Sequence, residues 1–457
     1  MLYLKLLYAV AFPSLLGFCI INLFLYKKED ATFLERVALG FCIGLVLITA
    51  EMFFVLSRLN INFSVLSISI PIIPLILAGL YITYKNKLIY LKMPKLSGLT
   101  ILEILLLIII LLEIFFVFSS QMIKPVTGWD AWAGYSFRAK AYFVEGTANV
   151  PSLPPTIRGQ HNALAQTWIF LCINEWDEIV GKIIFPFYYF CLLIIFYCSV
   201  RRFRTRLVSL LSTAVLSSLP FLVYHATLEY CDLLIGIYLF AGIVFMHLWL
   251  NRPQLRYLLL SLLFLLSTIT IKKESYFHLT IVFLVFLAAL FSIKHENVKE
   301  IKYFRAATAV FLFVGGLYIL LQMVLRPYEG HTFSASFELF NRVQPLLLVF
   351  ADYIFVRNNW SIAWPMLILI LIFNFNDIKK NHIVFILSIT MLEFFGFMAY
   401  YFFVNREAYE WLFYVTPAVR NMLQFIPVVI FLFANLLNLE CPRYSIPDTS
   451  IKRARKT

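Results

Sequence analysis

Residues 99–146 read LTILEILLLIIILLEIFFVFSSQMIKPVTGWDAWAGYSFRAKAYFVEG. The first 22 carry only two charges, Glu103 and Glu113, and about 20 predominantly apolar residues suffice for a helix to cross the hydrocarbon core. This part is therefore a membrane span. The chain leaves it directly into a stretch dense in aromatics and charge, Thr127–Gly146, where Asp130 sits between Trp129 and Trp132 and is followed by Tyr135, Arg138 and Lys140. Polar chemistry placed at a membrane exit points to function. An interfacial aromatic belt with snorkelling Arg and Lys has the same composition.

Working outward, the rest of the chain is of the same kind. Hydrophobic residues make up 62% of the 457 and charged residues 14%, with mean hydropathy +0.85. A soluble domain is about half apolar and a quarter charged, so the sequence predicts an all-α polytopic membrane protein. The formal charge of +13 is not a nucleic-acid signature, because the basic residues fall in short loops, where they set topology. The first apolar run is long and lacks a small-residue cleavage site, so it reads as a span and not as a cleaved signal. Of the seven cysteines, six lie in or beside apolar runs and no CxxC pair occurs, which suggests neither a disulfide framework nor a zinc site.

Apolar length predicts thirteen spans, near 2–26, 33–57, 62–84, 99–120, 179–200, 207–225, 232–250, 257–271, 276–293, 306–325, 360–375, 382–404 and 421–438. With that count the basic loops at 85–95, 201–206, 294–305 and 379–380 and the basic tail all share one side, the cytoplasm by the positive-inside rule. The parity requires residues 121–178 to remain outside, so the apolar run 162–174 is expected as a re-entrant or surface-lying helix, and 345–357 likewise. Residues 1–97 are expected to form an accessory three-helix unit, 98–325 a seven-helix module, and 326–457 a further external loop with the last spans and a basic tail.

This topology collects the unusual polar residues on the outer face, as for an active site built from loops on a helical scaffold. Asp130 is the candidate general base. In the corner LEYCDLLIG, Glu229 and Asp232 stand at i and i+3, on one helical face, although Asp at a helix start is also an ordinary cap. In TIKKESYF, Lys272, Lys273 and Glu274 interrupt an apolar run; such lysines hold a phosphate as point charges or solvate a hairpin turn. LPPTIRGQH supplies Arg158 and His161, the latter more often structural than catalytic in such a setting. Arg420 heads the final span, where an anionic head-group would lie. Glu51, Glu103 and Glu113 lie within apolar runs and are expected to face other helices.

In their order these pieces resemble the GT-C superfamily of membrane glycosyltransferases, in particular its protein O-mannosyltransferase and aminoarabinose-transferase branch. Asp130, Tyr135, Ala139, Ala141 and Gly146 fit the family's first external loop. The proline segment with Arg158, the second acid at Asp232, the pair Lys273-Glu274 and the late string Trp411, Thr416, Pro417, Arg420, Pro427 follow in the family's order over roughly residues 99–430. Two departures stand out: three additional leading spans, and Ala131 where the family carries a paired acid. The second puts metal dependence in doubt, so no metal or cofactor is expected.

The resemblance implies inverting transfer of a sugar from a polyprenyl-phosphate donor to a glycan, lipid or protein acceptor, at the periplasmic or exterior face of a bacterial plasma membrane. It makes Asp130 the base, puts Lys273 and Arg420 on the phosphate, and leaves Asp232 and Glu274 to position them. Glu229, Lys272, Tyr135, Arg138, Lys140, Arg158 and His161 are further candidate substrate contacts. A transporter or lipid flippase, or a polysaccharide polymerase or ligase, would also gather polar residues at one face.

Overall fold

The computed structural model describes residues 2–89, 98–153, 160–292, 341–374, 381–403, 410 and 417–437. Among these every regular element is helical. In chain order they are α1 (Leu2–Phe24), α2 (Phe33–Glu51), α3 (Val65–Lys85), α4 (Ile101–Ile123), α5 (Ser136–Glu145), α6 (Gln160–Ile173), α7 (Ile184–Arg201) and α8 (Arg206–Ser217). There follow α9 (Pro220–Ala226), α10 (Cys231–Asn251), α11 (Leu255–Ser267), α12 (Ser275–Ser292), α13 (Val343–Ala351), α14 (Ala363–Phe373), α15 (Asn381–Phe403) and α16 (Pro417–Leu436). Several starts are written in the sequence as caps. The Thr32 hydroxyl accepts from Glu35 N, the Ser64 hydroxyl from Ser67 N, and the Thr205 hydroxyl from Val208 N. Thr100 and Glu103 close a reciprocal capping box at the head of α4.

The protein is a helical membrane protein, but the count of thirteen spans is not reached. Eight helices among the described residues are long and apolar enough to cross a membrane, or nine if α8 and α9, bent by 68° at Ser218–Leu219, act as one span. The expected spans at 257–271, 276–293 and 360–375 come out as short apolar helices, because polar breaks such as Lys272–Glu274 cut the runs. The expected span at 306–325 lies outside the described residues. The run 162–174 is also corrected in part: α6 is buried along nearly its whole length and does not lie on the surface.

Burial separates the wall from the centre. Of the apolar window of α4 only 22% is buried, against 89% for α10 and 94% for α16. The two central helices therefore meet little lipid, and polar groups they carry can be satisfied by neighbouring helices. α1 and α2 pack backbone to backbone. A Cβ on Gly17 would lie 1.8 Å from Gly40 O, and one on Gly44 1.8 Å from Pro13 O, which is the close approach that small residues four apart permit in membranes. The first helices also dock on the remainder: Trp168 Nε1 donates to Ala9 O at 2.9 Å and Tyr238 OH to Cys42 O at 2.7 Å.

The bundle has two chemically different ends. At one, arginines meet helix starts and stops. Arg206 pairs with Glu103 at 2.7 Å, Arg202 with Glu35 at 2.5 Å and Arg256 with Asp30 at 2.5 Å, and Arg204 donates to Asn435 O. At 1.5 Å per residue, the 23 residues of α4 carry the chain about 34 Å from Glu103 toward Asp130. α10 and α16 traverse the same distance class, with Asp232 and Arg420 in their first turns.

Candidate functional site

After α4 the chain runs through five residues of non-helical backbone, Lys124–Gly128, turns helical again at Trp129, and at Asp130 opens a π-helical turn, Ala131–Tyr135, that runs into α5. Such turns are rare and concentrate at functional positions. Trp132 N donates to Gly128 O at 2.8 Å, and Glu178 anchors the approach by accepting from Val126 N at 2.7 Å. Trp129 and Trp132 flank the acid with exposed rings 5.9 Å apart. The Asp130 side chain is 37% exposed, and its Oδ2 lies 2.7 Å from Arg420 Nη2.

Arg420 continues the chain of charges inward. Its Nε and Nη2 both stand 2.9 Å from Asp232 Oδ2, and its guanidinium carbon lies 4.6 Å from the centre of the Tyr230 ring. Asp232 is wholly buried; its Oδ1 accepts from Lys272 Nζ at 2.9 Å and from Gln424 Nε2 at 2.7 Å. Lys272 reaches Glu274 Oε1 at 3.1 Å. The result is one continuous line, Asp130–Arg420–Asp232–Lys272–Glu274, drawn from four separate stretches of sequence. A carboxylate this deep is tolerated only because three donors satisfy it.

Outside the helices the environment shifts the titrating groups in opposite directions. Burial alone would lower the Lys272 ammonium, but Asp232 and Glu274 beside it overcome that and hold it above its ordinary value. Burial likewise works against the Glu274 carboxylate; Lys272 wins and holds it below the ordinary carboxylate range. Glu229 goes the other way. It is buried with Lys182 opposite, at 3.7 Å, and burial pushes its carboxyl up to about 7. Tyr135 is buried toward Cys231, and burial first, then Cys231 and Asp232, push its phenol well up, so it stays a hydrogen-bond donor.

The structure thus brings Asp130, Asp232, Lys272, Glu274 and Arg420 together, with Tyr135 beside them. Lys272 makes the ion pairs with Asp232 and Glu274, and Lys273 is exposed next to it. Glu229 faces Lys182 instead of the Asp232 line. Lys140 places its ammonium 3.8 Å over the Trp176 ring, and Arg138 is partly buried on α5. His161 is not part of the site. It is buried in α6 between Thr49 Oγ1 and Tyr188 OH, each 2.7 Å away, where burial lowers its imidazole to about 3. Arg158, Trp411 and Thr416 lie outside the described residues. Of the acids within apolar runs, Glu103 is explained by Arg206 and its capping box, whereas Glu51 keeps one buried oxygen without a partner among the described residues.

Sequence reading passed over Gln424, Tyr230, His278 and Glu393. Gln424 was legible, standing four residues after Arg420 on the same helical face, and Tyr230 lies inside the quoted corner. His278 and Glu393 are single ionisable residues in apolar runs, the signal that marked Glu51, Glu103 and Glu113.

Fold and site define a polytopic helical membrane protein with a buried ion-pair line opening at one end through Asp130. Comparison with protein-family models, curated proteins and solved structures finds no match to this chain.

Proposed function

We propose that this protein transfers a sugar from a polyprenyl-phosphate carrier to an acceptor hydroxyl at the extracytoplasmic face of a bacterial plasma membrane. The observation that supports it is the single charge line from half-exposed Asp130 to buried Asp232, with Arg420 between them and Lys272 beyond. In this reading the arginine-lined end of the bundle faces the cytoplasm, and the catalytic core that the resemblance implies begins at α4.

The chemistry follows from the order of charges. The carrier's phosphate competes with Asp130 for the outer Arg420 nitrogen and releases that carboxylate. Asp130 then accepts the proton of the acceptor hydroxyl, whose oxygen attacks the anomeric carbon. The bond from that carbon to the phosphate oxygen breaks on the opposite face, and its electron pair leaves with the lipid phosphate. Arg420 and Lys272 stabilise the charge that develops there. Lys272 takes the part that the resemblance implied for Lys273, because Asp232 and Glu274 hold its ammonium in place. Trp129 and Trp132 present exposed rings beside the base, a surface on which the acceptor can rest.

The test is to incubate purified protein with a panel of polyprenyl-phospho-sugars and measure release of free lipid phosphate. Full release by Asp130→Asn protein would sink the assignment. A second reading, a proton-linked carrier or flippase, draws on the buried pair of His278 and Glu393; flux of carrier lipid or solute in proteoliposomes without bond cleavage would favour it.

A further inference from the structure

Behind Asp232 the hydrogen bonds continue into the helices. Gln424 Oε1 lies 2.6 Å from His278 Nε2, and His278 Nδ1 lies 2.9 Å from Glu393 Oε2. Glu393, His278 and Gln424 come from α15, α12 and α16, and all three side chains are fully buried. The rings of Phe277 and Phe397 pack against His278. Among the described residues, the charged groups around this histidine are Glu393 on α15, Glu274 just before α12, and Asp232 on α10, reached through Gln424.

The direction of each bond in this row is forced. Asp232 Oδ1 is an ion-paired carboxylate oxygen and can only accept, so Gln424 must turn its amide nitrogen toward it. The Gln424 carbonyl oxygen then faces His278 and can only accept, so Nε2 must carry a hydrogen. A histidine against a carboxylate ordinarily gives its hydrogen from Nδ1 and leaves Nε2 bare. Here that tautomer would set the Nε2 lone pair against the Gln424 oxygen at 2.6 Å.

With Nε2–H fixed, the Nδ1···Oε2 contact needs a proton of its own, either on the nitrogen as imidazolium or on the Glu393 oxygen. The other Glu393 oxygen, Oε1, is buried and has no hydrogen-bond partner among the described residues, which a bare carboxylate tolerates poorly. We propose that His278 and Glu393 hold one proton between Nδ1 and Oε2, and that this pair, acting through Gln424, is a positioning device for Asp232. In this device the charge of Asp232 sets the histidine tautomer, and the tautomer locks the amide that orients Asp232. Since Asp232 in turn holds Arg420 and Lys272, a proton bound deep in the bundle supports the geometry of the exposed end. The inference stands on the Asp232 line itself and goes beyond the transfer reading.

The test uses the purified full chain with 15N-labelled histidine in lipid nanodiscs at pH 7. The protein has seven histidines, and the His278 signal is assigned as the one lost in His278→Gln. Should that variant fail to fold, the signal is assigned as the one displaced by Glu393→Gln. The expected result is an Nε2 resonance at the protonated position, with Nδ1 protonated or strongly hydrogen-bonded. Glu393→Gln should keep Nε2 protonated, because its amide donates to Nδ1. Glu393→Leu should leave Nε2 protonated, since Gln424 still faces it, and turn Nδ1 into a bare, non-hydrogen-bonded nitrogen. A bare Nε2 in the wild type overturns the proposal, as does a ring indifferent to Glu393→Leu. Neither readout depends on sugar transfer, so the proposal and the transfer reading fail separately.

Discussion

Arg420 Nη2 lies 2.7 Å from Asp130 Oδ2, although 290 positions of chain separate the two residues. The same nitrogen stands 2.9 Å from Asp232, so one guanidinium couples a half-exposed acid to a buried one. Its planar fork allows this, since Nε and Nη2 both address Asp232 while Nη2 also turns outward.

Arg420→Lys keeps the charge and loses the fork. A single ammonium cannot reproduce both contacts with Asp232 and still reach Asp130. Transfer in the lipid-phosphate release assay should fall about 10²-fold, the usual consequence of misplacing a charge by about 1 Å. Asp130→Asn should fall at least as far, by about 10²–10⁴-fold for loss of a general base. Wild-type rates in both variants would remove this line from the chemistry.

Asp232→Asn addresses the fold. Asp232 is buried and satisfies Lys272, Arg420 and Gln424 together. Neutralising it leaves two cations short of their counter-charge, which costs about 3–5 kcal/mol for a buried pair. Thermal unfolding in detergent should show a large drop in midpoint. Adding Lys272→Met should recover part of it, because the second cation no longer lacks a partner; an unchanged midpoint in the single variant would contradict the geometry.

How much of this was legible beforehand follows from what each signal measures. Runs such as 101–118 announce a membrane helix by length alone, and eight long helices are found where apolar length put them. Counting failed where length is ambiguous: Lys272–Glu274 and Ser218–Leu219 break runs that composition alone would carry through, and a break says nothing of whether the pieces cross. Asp130, Asp232, Lys272 and Arg420 stood out because charge at the end of an apolar helix is costly. Which lysine of Lys272-Lys273 turns inward was not readable, since adjacent residues differ only in helical phase at an irregular turn. His161 misled because a histidine between polar residues reads alike whether it meets solvent or, as here, Thr49 and Tyr188. The α1–α2 contact through Gly17, Gly40 and Gly44 had its signal in the four-residue glycine spacing.

Gly128 tests the local design of the opening stretch. A Cβ there would lie 2.5 Å from a carbon of the Tyr230 ring, and that ring is the surface on which Arg420 rests. Gly128→Ala must therefore push Tyr230 away and loosen Arg420. Overpacking of this kind costs about 1–3 kcal/mol, and here it should also lower transfer. Combining it with Tyr230→Ala should relieve the clash, seen as a smaller stability loss for the second substitution in the Gly128→Ala background than in the wild type. Strict additivity would show that the two do not meet.

Glu229 makes stability depend on pH in a direction that can be worked out. Its ordinary value of 4.5 is raised to about 7 in the folded protein, chiefly by burial. Between those values the folded protein keeps a proton that the unfolded chain has released. The contribution is therefore fully present below pH 4.5 and is lost as pH rises through about 7, at no more than about 1.4 kcal/mol per pH unit. Glu274 acts oppositely: its lowered value adds stability above pH 4.5 that is lost on acidification through its folded value. Lys272, raised by its carboxylate neighbours, stays protonated throughout the neutral range. Thermal midpoints measured in detergent from pH 5 to pH 8 should fall toward the alkaline side, and Glu229→Gln should flatten that fall, because a buried amide has no proton to lose. A Glu229→Gln profile as steep as the wild type would show that another group carries the dependence.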